Sequence, residues 1–172
     1  QLRTNIAMVP QQVSLFSGTI RENLLLADPN ANDEKLKEAL SEAGLGSFLK
    51  TLPKGLDSDV GNAGAALSGG QRQKMGIARA LLSEAQYMIF DEATSSVDPQ
   101  SEREIWETIG RLSKTRTLII ISHRMSTIQN ANCIYVLEKG VVAQRGSHAE
   151  LMQQGGLYRE LVTRQQAMEV AE

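Results

Sequence analysis

The chain alternates short, continuous apolar runs with longer segments whose apolar residues recur at helical spacing. The apolar runs predict buried strands over Asn5–Val9, Tyr87–Phe90 and Thr117–Ile121. The helical spacing predicts helices over Thr19–Leu25, Asp33–Ala43, Ser47–Leu52, Leu67–Leu82, Pro99–Leu112 and Met125–Asn130. Because strands alternate with helices, we expect an α/β fold that is built on a parallel sheet. The Gly- and Asp-rich stretch from Pro53 to Ala66 is typical of a loop.

The carboxy-terminal third of the chain has a different pattern. Two apolar segments, Cys133–Leu137 and Val141–Ala143, flank Lys139-Gly140, which predicts a β-hairpin with a tight turn. Ser147 and Glu150 then match the S-x-x-E pattern of a capping box. We expect this box to open the first of two final helices.

Composition narrows the class of protein. The 172 residues are 41% hydrophobic and 22% charged, which is typical of one globular domain. A net charge of −2 argues against nonspecific binding to nucleic acid. Cys133, the one cysteine, has no partner for a disulfide or a zinc site, and no apolar run is long enough for a membrane span. The chain starts at Gln1 instead of methionine, so we expect it to be a piece of a larger protein.

Ionisable residues follow two of the predicted strands. Asp91 and Glu92 come directly after Phe90, and His123 comes shortly after Ile121. Ligand sites of α/β sheets lie at the carboxyl ends of parallel strands. Two adjacent carboxylates there suggest that one holds Mg²⁺ while the other orients or deprotonates a water. The alternative to a ligand site is that Asp91 and Glu92 are solvated loop carboxylates and that His123 is a structural histidine.

A third candidate lies where the longest predicted helix begins. Ser68-Gly69-Gly70-Gln71 would expose unpaired N–H groups at a helix N-terminus, which favours an anion such as phosphate. The alternative is that Ser68 is only an N-cap, with Gln71 completing a capping box. Both can hold, because one hydroxyl can cap the helix and still face a ligand.

Four segments carry a resemblance to a known family. Leu67–Ala80 resembles the signature motif and its helix, and Tyr87–Asp98 resembles the Walker B strand that runs into the D-loop. Ile119–His123 resembles the switch strand with its H-loop histidine, and Val9–Gln11 resembles the Q-loop. Their order and spacing make the chain similar to the nucleotide-binding domain of ATP-binding cassette (ABC) proteins.

The resemblance implies a P-loop NTPase-like ABC ATPase fold, with a mostly parallel sheet flanked by helices and a helical subdomain. It implies that residues 1–172 are a partial domain, with the helical subdomain at about 13–82 and the RecA-like core at 1–12 and 83–172. The Walker A motif G-x-x-x-x-G-K-[ST] does not occur, so we expect the N-terminal part of the core to be absent. A truncated polypeptide and a naturally degenerate cassette both explain this, and the start at Gln1 favours truncation. We expect the strand that leads into the Walker A motif, which this chain lacks, to lie beside the Walker B strand. We also expect the chain alone to be inactive.

The resemblance also implies roles for individual residues. Glu92 would act as general base or orient the attacking water, and His123 would contact the γ-phosphate of ATP. Asp91 and Gln11 would contact Mg²⁺. It further implies that ATP is bound by Gln11, Ser68, Gly69, Gly70, Gln71 and Asp98. The signature residues among them would bind ATP across a head-to-tail dimer, and Asp98 would lie at the interface of that dimer.

Further segments point to one branch of the family. Leu15–Leu24, Leu52–Leu56, Gly146–Leu151 and Gly156–Leu161 are similar to exporters in which membrane and ATPase domains are fused. One departure is Gly61–Gly64, which lacks the Glu-Arg pair that such exporters often carry there. This branch implies an ATPase that powers substrate export.

The same resemblance implies partners and a location. The partners would be a transmembrane domain of the same transporter and a second nucleotide-binding domain in a homo- or heterodimer. The parent would lie at the cytoplasmic face of the cell membrane, while the fragment itself would be soluble. The short interval between Gln11 and Leu67 disfavours the DNA-associated relatives, so we expect no nucleic acid. A non-catalytic module that dimerises through its signature and D-loop surfaces is the alternative.

Overall fold

The structure is a computed structural model that describes residues 5–169. Its strands and helices fall into two units, and the boundary between them in the chain lies between Ile121 and Ser122. The first unit holds β1 (Ile6–Val9), α1 (Ile20–Leu25), α2 (Asp33–Glu42), α3 (Gly46–Thr51), α4 (Gly69–Leu82), β2 (Tyr87–Asp91), α5 (Pro99–Leu112) and β3 (Thr117–Ile121). The second holds α6 (Met125–Ile128), β4 (Ile134–Glu138), β5 (Val141–Gly146), α7 (His148–Gln154) and α8 (Leu157–Glu169).

The sheet of the first unit is parallel, with the strand order β1-β2-β3. Ile6 aligns with Tyr87, and Tyr87 aligns with Thr117. The prediction of an α/β fold with a parallel sheet is therefore confirmed. Both edges of β2 are already paired, so the expectation of a further strand beside β2 is wrong. A further strand could pair only with β1 or β3.

The two faces of this sheet differ because strand residues point alternately to opposite sides. Val9, Met88 and Phe90 are completely buried and belong to one apolar core with the helices. On the opposite face, Met8 is 55% exposed and Ile119 is 48% exposed. Parallel strands are usually apolar on both faces, and these strands follow that rule in sequence.

Helix α4 is the central helix of the first unit, with Met75 and Ile77 buried among the core residues. It begins at Gly69, after the N-cap Ser68, rather than at Leu67 as the apolar spacing predicted. The regular elements between residues 13 and 82 are all helices. Two short 3-10 turns, Gly55–Asp57 and Asn62–Gly64, interrupt the predicted loop. A separate subdomain over 13–82 stays a prediction.

The second unit contains the predicted hairpin. β4 and β5 pair antiparallel across Lys139 and Gly140, whose φ angles of 50° and 82° fit a two-residue turn with both residues left-handed. Ser147 and Glu150 form the predicted capping box of α7. This unit has its own apolar core of Met125, Ile134, Val136, Leu151, Tyr158 and Val162. Among the residues that the structure describes, no helix combines the length and apolarity that crossing a membrane requires.

Candidate functional site

The carboxyl edge of the parallel sheet carries the two residues that are predicted to contact magnesium. Asp91 is the last residue of β2 and aligns with Ile121 at the end of β3. Gln11 follows the end of β1 by two residues, so its loop leaves the same edge of the sheet. Asp91 is partly buried and Gln11 is exposed. An oxygen-bearing pair is therefore available at the edge where α/β proteins bind ligands.

Glu92 adopts an uncommon backbone conformation. Its φ of 47° lies in the left-handed region, which costs a residue with a side chain about 1–3 kcal/mol. Its N–H donates to the Ile121 carbonyl at 2.9 Å, and its carbonyl accepts from the Ser95 N–H at 3.1 Å and the Ser95 hydroxyl at 3.0 Å. The sheet and the following turn thus hold Glu92 in this conformation. Its side chain is partly buried.

Asp98 ends the loop that leads from Glu92 to α5. Its carboxylate accepts from the N–H groups of Gln100 at 3.1 Å and Ser101 at 2.9 Å, and Pro99 takes the first helical position. Hydrogen bonds from the Ser101 hydroxyl and amide lower the pKa of Asp98. Asp98 is exposed and caps the helix, and its predicted place at a dimer interface stays a prediction.

The N-terminus of α4 forms the capping box that was the alternative to anion binding. The Ser68 hydroxyl accepts from the Gln71 N–H at 3.1 Å, and the Gln71 Oε1 accepts from the Ser68 N–H at 2.9 Å. Ser68 is exposed. Because a hydroxyl that accepts one bond still has a proton to donate, capping leaves Ser68 able to face a ligand.

The two glycines that follow have different surroundings. A Cβ on the buried Gly70 would overlap the side chain of Ser101 on α5. A Cβ on Gly69 would lie 3.4 Å from the Ser96 carbonyl oxygen, an ordinary contact. Packing within the chain therefore requires glycine at position 70, and it leaves room for a Cβ at position 69.

One cleft brings several of these segments together. Its volume is about 330 Å³. It is lined by residues 11–15, by Gly69, Arg72 and Gln73 of α4, by Ala63, and by Ser96 and Val97 of the loop before α5. The structure thus places Gln11 and Gly69 in one cleft. His123, which is exposed two residues beyond β3, belongs to the second unit.

Sequence reasoning missed the residues of α4 that contact the loop after β1. The Gln73 side-chain amide donates to the Pro10 carbonyl at 2.9 Å, and the Arg79 guanidinium donates to the Ser14 carbonyl at 2.6 Å. Gly76 lies between them in sequence, where a Cβ would stand 2.5 Å from Val13 Cγ2. The signal was a polar residue, a glycine and a basic residue at intervals of three along α4, which are positions that share one side of a helix.

The residues at this edge can supply only some of the ligands of a magnesium ion, so phosphates and water would have to supply the others. Among residues 5–169, no three His, Cys, Asp or Glu side chains are grouped so that they could hold a metal ion. Magnesium in nucleotide sites is usually held by one or two protein oxygens together with phosphates and water. Asp91 and Gln11 offer oxygens of that kind.

Comparison with known proteins gives a family and a fold. The family model described as ABC transporter matches residues 1–95. The chain is 48% identical to an ATP-dependent lipid A-core flippase of Chromobacterium violaceum, covering 94% of this chain and 28% of the flippase. It is 46% identical to P-glycoprotein 14 of Caenorhabditis elegans, covering 95% of this chain and 12% of that protein.

A solved structure matches over the same extent. The structure of a bacterial Atm1-family ABC exporter with ATP bound has a TM-score of 0.86 and 38% sequence identity, covering 95% of this chain and 29% of that one. The chain thus spans less than a third of the length of each of these three proteins.

Proposed function

The chain belongs to the ABC transporter family, and on that premise we propose that it forms part of the ATPase domain of an exporter, where it helps to hydrolyse ATP. The observation that carries this proposal is the pair Asp91-Glu92 at the carboxyl end of the central strand, with Glu92 held at a left-handed φ of 47°. Strained backbone of this kind is concentrated at functional sites. The similarity to a lipid A-core flippase and to P-glycoprotein 14 supports the exporter branch.

Each candidate catalytic or metal-binding residue has a role in this proposal. Asp91 and Gln11 contribute oxygens to Mg²⁺, and Glu92 accepts a proton from the attacking water or orients it. His123 contacts the γ-phosphate of ATP. When bound, Mg-ATP supplies the phosphoryl group and the charge to which these side chains respond, and their main contribution is positioning.

The start of α4 acts on a nucleotide that a second ATPase domain holds, in a homo- or heterodimer. Ser68, Gly69, Gly70 and Gln71 lie at the N-terminus of a 14-residue helix, whose dipole and free N–H groups favour a phosphate. The exposure of Ser68 and the partial exposure of Gly69 support this role. Asp98 lies at the same domain interface.

The remaining partner is a transmembrane domain of the same transporter, which holds the ATPase domain at the cytoplasmic face of the cell membrane. Nucleic acid is not a partner. The chain has no Gly-Lys pair and hence no Walker A motif, so ATP is held mainly by residues outside these 172. Residues 1–172 alone therefore neither bind ATP tightly nor hydrolyse it.

The test replaces Glu92 with glutamine in the full-length transporter. Loss of the carboxylate should lower the ATPase rate by about 10²- to 10⁴-fold, the usual contribution of a general base. Glu84→Gln is the matched control, because Glu84 is also a glutamate at positive φ (54°) and its exposed ion pair with Lys35 contributes little. Equal and measurable rates for wild type and Glu92→Gln would exclude Glu92 as the general base, and no ATPase activity in either protein would favour the non-catalytic interaction module instead.

A further inference from the structure

Gln73 is a buried polar residue of α4 whose side chain reaches the loop that carries Gln11. It is 3% exposed, and its Nε2 donates to the Pro10 carbonyl at 2.9 Å. Pro10 has no N–H, so this carbonyl is its one backbone hydrogen-bonding group, and it immediately precedes Gln11. A buried amide without such a partner would be costly, which makes the position of the carbonyl and that of Gln73 interdependent.

Two further contacts hold the same loop on the same side of α4. Val13 packs against Gly76, which has room for no side chain, and the Ser14 carbonyl accepts from Arg79. Burial lowers the pKa of Arg79, and its guanidinium donates to the neutral oxygens of Ser14 and Asn23. The loop therefore follows α4, and Gln73 is the contact nearest to Gln11.

We propose that Gln73 is a positioning residue for Gln11: its side-chain amide fixes the loop so that the Gln11 oxygen stands where Mg²⁺ binds. This inference rests on the proposed function. It assigns to α4 a second task, which is to set the geometry of the magnesium contact. Gln73 acts through Gln11 and touches neither the metal nor the nucleotide.

The experiment measures the Mg²⁺ concentration for half-maximal binding of a non-hydrolysable ATP analogue to the full-length transporter, with the Mg²⁺ concentration for half-maximal ATPase activity as a second readout. Gln73→Met keeps the size of the side chain but removes the donor, and it should raise this concentration about three- to tenfold, as the loss of one ordinary hydrogen bond predicts. Gln73→Glu should raise it further, because a carboxylate repels the Pro10 carbonyl. Thr108→Val is the matched control, since Thr108 is 1% exposed and also hydrogen-bonds a backbone carbonyl, that of Glu104.

The same variants are then measured in a Gln11→Ala background. If Gln73 acts through Gln11, Gln73→Met and Gln73→Glu should change the Mg²⁺ requirement less than twofold there. Equal fold-changes in both backgrounds, or a rise as large for Thr108→Val, would overturn the proposal and leave Gln73 a structural residue. Either Gln73 variant suffices if the other does not fold. Failure of the proposed function is distinct: Gln11→Ala alone would then leave the Mg²⁺ requirement unchanged.

Discussion

Ser101 occupies the space that a side chain on Gly70 would fill. The same Ser101 donates its N–H to the Asp98 carboxylate at 2.9 Å. The N-terminus of α4 and the N-terminus of α5 are therefore in direct contact. Asp98, which caps α5, is hydrogen-bonded to the same Ser101 that lies against Gly70. Two segments that the sequence places far apart are in this way fixed relative to each other.

Gly70→Ala should destabilise the protein through this contact. The added methyl group forces Ser101 aside, and overpacking of this kind costs about 1–3 kcal/mol. Ser101→Gly in the same chain should restore part of the loss, because it removes the overlapping atoms. Thermal unfolding of the full-length protein measures both effects. A double variant no more stable than Gly70→Ala would contradict the contact.

Gly69→Ala should separate folding from function at the neighbouring position. A methyl group there meets the Ser96 oxygen at 3.4 Å, so the unfolding temperature should stay within about 2 °C of wild type. If backbone N–H groups at this helix start bind phosphate in a partner's site, the methyl group should still lower the ATPase rate at least tenfold. Wild-type activity of the folded variant would argue against phosphate binding at Gly69.

The ion pair between Lys74 and Glu104 predicts unequal effects for its two partners. The side chain of Lys74 is 8% exposed and that of Glu104 is 44% exposed, and Lys74 lowers the pKa of Glu104. Glu104→Gln leaves a buried ammonium group without its counter-charge, and it should cost about 2 kcal/mol. Lys74→Met leaves only an exposed carboxylate, and it should cost under about 1 kcal/mol. Unfolding temperatures rank the two, and the reverse order would contradict the burial of Lys74.

Arg21 makes part of the stability depend on pH. It bonds to Asp33 and Asp57, and it lowers the pKa of both carboxylates. Because the unfolded carboxylates titrate near pH 3.9, the contribution is complete above about pH 4 and is lost as pH falls below that value. The difference in unfolding temperature between wild type and Arg21→Gln should therefore shrink from pH 7 to about pH 3. A difference that does not change with pH would show that the pair contributes no such linkage.

The sequence predicted those parts of the fold that depend on neighbouring residues. The apolar runs located β1, β2 and β3, and the pattern of Ser147 and Glu150 predicted a capping box that forms. These features follow from backbone geometry and local hydrogen bonds, which act over a few residues.

Contacts between distant segments could not be predicted in the same way. Gln73 and Pro10 are 63 residues apart, and nothing near either residue indicates that they pair. The expectation of a further strand beside β2 was wrong for a related reason. The order of strands in a sheet depends on how the crossover connections pack, and the apolarity of a strand does not reveal it. The candidate site residues were found by motif, while the residues that hold them in place needed the structure.

The most direct test of the proposed ATPase function is to identify the nucleotide that the full-length transporter retains after incubation with Mg-ATP. Loss of the Glu92 carboxylate should block hydrolysis and leave binding intact, so Glu92→Gln should retain ATP, while wild type and Glu84→Gln should release ADP and phosphate. Retention of ADP by Glu92→Gln, with phosphate formed at the wild-type rate, would contradict the catalytic role of Glu92.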